Sequence, residues 1–124
     1  MRILKYYSIY FLVFLFSCTA EKNLNRNSNL DKLFDKKTQV EGPFSIEQAE
    51  KDNMITVKKN GKSVILPFGY INDDWETLKS NYQEGDQIFK FSTSAESWDN
   101  LAGREGYVLI RGDQIIAEII TLMN

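Results

Sequence analysis

The 124-residue sequence contains no histidine. That removes the side chain most often used as a general base near neutral pH and most often found on metals. Cysteine occurs once, at Cys18, so no disulfide can staple the chain and no Cys/His metal cluster can be assembled. Basic charge is not in excess. There are 15 Lys and Arg against 17 Asp and Glu, a formal charge of −2, whereas nucleic-acid binding calls for a basic stripe. The longest mainly apolar run, Tyr6 to Phe16 with Ser8 inside it, falls short of the ~20 residues that cross a bilayer.

What is present begins at the N-terminus. Met1-Arg2-Ile3-Leu4-Lys5 is a short basic start, the apolar run follows, and Leu15-Phe16-Ser17-Cys18 closes it. This is the layout of a secretion signal: basic, then apolar over roughly 7–15 residues, then a small residue at the cut. The closing tetrad resembles the lipobox of bacterial lipoproteins, with leucine three before the cysteine and a small residue one before it. Phe16 departs from the small or aliphatic residue usual at its position. The resemblance covers residues 1–18 only. It implies removal of residues 1–17, acylation of Cys18, and a protein held on a bacterial membrane facing away from the cytoplasm. Each buried methylene adds about 0.8 kcal/mol and a single chain binds only marginally, so two or three chains on one cysteine would make a firm anchor. Cys18-Thr19-Ala20 also fits an ordinary cleavage site after Ala20, which would release a chain beginning at Glu21. With Cys18 acylated, no thiol nucleophile remains.

Cleavage before Cys18 leaves 107 residues, enough for one domain and a tail. Without Arg2 and Lys5 the balance is 13 basic to 17 acidic side chains, a net charge of −4, which gives no reason to expect electrostatic docking on anionic lipid. Residues 18–43 read as the lipidated cysteine and a flexible tether, because Asn23, Asn25, Asn27 and Asn29 dominate and few residues could pack a core. Within it, Leu30, Leu33 and Phe34 could form one helical turn. The domain is placed at 44–124.

Ser45 with Gln48 predicts a capped helix over about 46–53. Two strands, Met54–Lys59 and Lys62–Phe68, flank Asn60-Gly61, a strong hairpin signal. A second helix is expected near 74–82, a strand over 86–93, and a third helix near 95–102 ended by Gly103. A second hairpin joins 107–111 to 114–122 across Gly112-Asp113. Ile115, Ile116, Ile119 and Ile120 put bulk on both faces of its last strand, which should therefore be central or covered twice. The fold class is α+β: about five mainly antiparallel strands with two or three short helices packed on one face.

Four residues are candidate binding groups. Arg104, with nearby backbone N–H groups, could hold a carboxylate or phosphate; the plainer reading is a tight turn with Arg104 paired to an acid. Tyr70, Trp75 and Tyr82 flank the second helix and could form an aromatic platform, or could simply be core. Trp75 and Leu78 share a Trp-acidic-x-Leu echo with Trp98 and Leu101. Arg111-Gly112-Asp113 spells an adhesion tripeptide at a place where a hairpin turn is needed. Lys58, Lys59 and Lys62 cluster at the first hairpin tip. No metal or cofactor is expected. The residues point to a lipoprotein of the cell envelope whose domain binds a protein or ligand there, an inhibitor or immunity-type protein being one version. The alternative is a cell-wall enzyme built on two carboxylates.

Overall fold

A computed structural model describes residues 28–124. Residues 1–27, on which the expected signal and Cys18 fall, lie outside it. The chain runs α1 (Ser28–Leu33), β1 (Gln39–Phe44), α2 (Ile46–Asp52), β2 (Met54–Lys59), β3 (Lys62–Pro67), a 3-10 turn (Gly69–Ile71), α3 (Asn72–Ser80), β4 (Gln87–Ser92), α4 (Ala95–Asp99), β5 (Arg104–Arg111) and β6 (Gln114–Met123). The α+β class expected from the sequence is what forms.

Four strands make an antiparallel sheet in the order β1-β4-β5-β6, and β2 and β3 pair separately as a hairpin. The hairpin closes through Asn60 and Gly61 at φ 53° and 77°, the two left-handed positions that a type I′ turn requires. Ser45 caps α2 by accepting from the Gln48 amide, and Ser94 caps α4 by accepting from Ser97, which leaves fewer orphan amides at each helix start.

Alternation along β4 and β5 sends successive side chains to opposite faces. Ile88, Tyr107 and Leu109 meet Ile119, Ala49, Phe68, Trp75 and Leu78 on one face, under α2, α3 and the 3-10 turn. Phe89, Phe91, Val108 and Ile110 pack on the other face with Leu30, and Leu33, Phe34, Val40 and Ile120 join them. β6 lies at an edge: Ile116 and Ile119 pack in the first core and Ile120 against the second, while Ile115 stays 39% exposed, so the two-sided cover expected of its isoleucines is partial.

The first core turns on Phe68. Its ring lies 4.6 Å from that of Trp75 and 5.2 Å, edge-on, from that of Tyr107. Its backbone sits at φ 62°, a conformation that non-glycine residues seldom adopt, and its amide donates to the Asn53 carbonyl at 2.7 Å. Asn53 in turn donates from Nδ2 to the Tyr107 hydroxyl at 2.9 Å.

Two features differ from the sequence reading. The segment taken as tether is folded from residue 28: Leu30 is 3% exposed, and β1 pairs with β4 from Gln39 to Phe44. The expected boundary at residue 44 thus falls at the end of a strand, and Gly42-Pro43 lies inside an irregularity of β1 rather than before the domain. There are six strands rather than five, in two sheets, and α1 lies on the face opposite the other packed helices. The asparagine content hid this, because three apolar side chains suffice to cover the back of a narrow sheet.

Candidate functional site

The sheet face that carries α2 and α3 is not covered along its whole length. Past Tyr107 it continues as polar side chains: Gln39 and Glu41 from β1, Lys90 and Ser92 from β4, and Glu105 from β5. Together with Phe91 they line an open pocket of about 100 Å³. Strand register explains the gathering. Glu41 pairs with Lys90, Gln39 with Ser92, and Ser92 with Glu105, so their side chains share one face. The Lys90 ammonium lies 3.5 Å from the Glu105 carboxylate. The pair is partly solvated, and such pairs contribute only about 0–1 kcal/mol to folding. Trp98 lies beside the pocket, its indole N–H donating to the Ser92 hydroxyl at 3.3 Å. A side-chain carbon at Gly103 would collide with the Trp98 ring, so the glycine is what lets the indole lie down there.

Chemically the pocket offers ammonium and amide donors, carboxylate and hydroxyl acceptors, and one net negative charge. It suits a neutral or basic hydrogen-bonding group. No His/Cys/Asp/Glu group able to hold a metal occurs among the described residues.

The structure disperses the residues singled out from the sequence. Trp75 is fully buried, whereas Tyr70 is 80% exposed and Tyr82 40% exposed. The three do not form a shared platform, because the ring meant to join the tyrosines is packed against Phe68. The Trp75 indole N–H has no acceptor among the described residues. Arg104 is exposed and its guanidinium forms no ion pair among the described residues. Its amide donates to Thr93 Oγ1 and that of Gly103 to Asn124 Oδ1, both at 2.9 Å, so these N–H groups are not free to cradle an anion. Alternation also turns Arg104 away from the face that carries Glu105. Cys18 lies outside the described residues.

Arg111 is occupied. Its Nε and Nη2 donate to the two carboxylate oxygens of Asp86 at 2.9 and 2.8 Å, and Nη2 also reaches the Asn81 carbonyl at 3.0 Å. The Arg111 guanidinium holds the Asp86 carboxyl below its ordinary value of 3.8, against the opposing effect of burial and with help from the Gln83 amide. The tripeptide is a turn whose arginine staples the loop after α3 to β5. The Trp-acidic-x-Leu echo does not extend to packing: Trp75 and Leu78 are core, while Leu101 is 76% exposed and lies beyond the end of α4.

The pocket residues escaped the sequence reading. Their one visible signal was Lys90, a charge at an inward position in the apolar run Ile88-Phe89-Lys90-Phe91. No protein family, curated protein or solved structure was found to match this chain.

Proposed function

We propose that this is a lipid-anchored protein of the bacterial cell envelope, acylated on Cys18, whose domain binds a protein partner through the polar pocket at the open end of its sheet. The anchor rests on Leu15-Phe16-Ser17-Cys18. The observation that carries the binding role is the size and character of the pocket. About 100 Å³ admits one side chain, whereas sites for free small molecules occupy roughly 300–1,000 Å³. The mixed donors and acceptors, with an acidic excess, fit a basic or amide side chain offered by a partner. An inhibitor or immunity-type protein is the specific version of this reading.

Two measurements test it. Mass spectrometry of the mature N-terminus should find a diacylated or triacylated cysteine; a free Glu21 refutes the anchor. Affinity purification from detergent extracts should recover a stoichiometric partner that is lost when Lys90→Ala and Glu105→Gln are combined. Recovery undiminished by those changes, or no partner at all, refutes the role of the pocket.

One observation supports the enzymatic alternative: Glu41 and Glu105 line the same pocket, and paired carboxylates are the machinery of glycoside hydrolysis. Release of reducing ends from cell-wall glycan, abolished by either Glu→Gln change, would establish it.

A further inference from the structure

The charge of this chain is divided by region. From Asn53 to Asn72 there is no acidic residue and there are three lysines, Lys58, Lys59 and Lys62; the remaining described residues carry 16 acidic and 8 basic side chains. The basic stretch is the β2–β3 hairpin and the 3-10 turn after it. Lys58 to Ser63 are six consecutive exposed residues, and open space surrounds Gly61 at the apex. The hairpin pairs with no strand of the main sheet. Among the described residues, none of its three lysines takes part in an ion pair.

The same stretch concentrates exposed apolar surface. Met54 is 48% exposed, Ile55 47%, Ile65 63% and Tyr70 80%. The inner face of the ribbon is spent on the core: Val57 is 2% exposed, and Ile55 and Val57 abut Gly69. Register sets Met54 opposite Pro67, Thr56 opposite Ile65 and Lys58 opposite Ser63, so Met54, Ile65 and Lys58 share the outer face. A two-stranded ribbon alone is marginal in water, and bare aliphatic surface on it needs a cause beyond folding.

We propose that this hairpin docks on an anionic lipid surface, its lysines among the headgroups and Met54 and Ile65 at the boundary with the acyl chains. Charge complementarity argues for lipid of this sign. A negative surface attracts the tip and repels the acidic body, which fixes one orientation. The overall negative charge concealed this, because it averages two regions of opposite sign. The proposal is independent of the pocket and adds an orientation to the anchored reading without needing the acyl group.

The test uses the chain from Thr19 onward, which keeps every residue of both cores and lacks Cys18 and the apolar start. It is sedimented with vesicles of phosphatidylcholine alone and with vesicles containing phosphatidylglycerol. Binding is expected to the anionic vesicles only. It should weaken steeply from 0.1 to 1 M salt, as the screening length falls from about 10 to 3 Å. Lys58→Glu, Lys59→Glu and Lys62→Glu together should lower it on the order of 100-fold or more, since each lysine at such a surface is worth roughly fivefold. Ile65→Ser should weaken it several-fold at unchanged charge. All four positions are exposed, and an unchanged thermal melt shows that the fold survives. Equal binding to both vesicle types, no binding to either, or a triple variant that binds normally overturns the proposal. If the tip ignores vesicles and instead cross-links to an acidic protein, the surface belongs to a protein. Failure here leaves the acylation of Cys18 untouched, since the tested chain lacks it.

Discussion

Phe68 shows how one side chain can justify a strained backbone. Its left-handed φ costs on the order of 1–2 kcal/mol for an L-residue, and the ring it places between Trp75 and Tyr107 repays that. Phe68→Ala should destabilise by about 3–5 kcal/mol in urea unfolding. Phe68→Gly should retain about 1 kcal/mol more than Phe68→Ala, reversing the usual ranking, because only glycine escapes the strain. Trp75 presents the opposite case, a buried donor with no acceptor among the described residues. Trp75→Phe removes that N–H and should cost about 1 kcal/mol or less, whereas Trp75→Ala should cost about 3–5 kcal/mol. Equal losses would mean that the indole N–H is satisfied. Asp86 gives a pH dependence. Its carboxyl is held below 3.8 in the fold, first by the Arg111 hydrogen bond. The stabilisation is therefore complete above the unfolded carboxyl's range and is lost as pH falls through the depressed folded value. The melting temperature should drop in acid below about pH 4, and Asp86→Asn should flatten that part of the curve.

Among the elements, those with local chemistry were legible. Asn60-Gly61 announced its hairpin because only a I′ turn wants two positive φ values in a row, and Ser45 announced α2 through its cap. β1 was not, and of α1 only one helical turn at Leu30, Leu33 and Phe34 could be read. These three sit in an asparagine-rich stretch, and what organises them is the exposed back of β4 and β5, a partner that local sequence does not reveal. The pocket was illegible for the same reason: Gln39, Lys90 and Glu105 are neighbours only by strand register. Leu30→Asp should therefore destabilise by about 2–5 kcal/mol, as a core change does. A loss below 0.5 kcal/mol in chemical denaturation would return residues 28–38 to the status of a tether.

For the whole molecule, Lys79 joins α3 to α2 by reaching Glu50 at 3.2 Å and, within its own helix, Glu76 at 3.1 Å. Burial pushes its pKa down, but hydrogen bonds to Glu76 and Glu50 outweigh this and raise it above 10.5. That stabilisation is complete below about pH 10 and fades as pH rises through the raised value, so the fold should soften in strong alkali as well as in acid. Lys79→Met should remove the alkaline shoulder of a plot of melting temperature against pH and leave the acid one intact.

The early start of α1 has a consequence for geography. Only nine residues separate Cys18 from Ser28, and nine residues fully stretched cover about 30 Å. With the cysteine acylated as proposed, the domain is leashed within roughly its own diameter of the bilayer. It cannot patrol the envelope, and anything it grips must itself come to the membrane. Lengthening the leash by a run of glycine and serine before Ser28 should widen the range of partners caught by short cross-linkers, and a catch that stays the same would mean that the partner already lives at the surface.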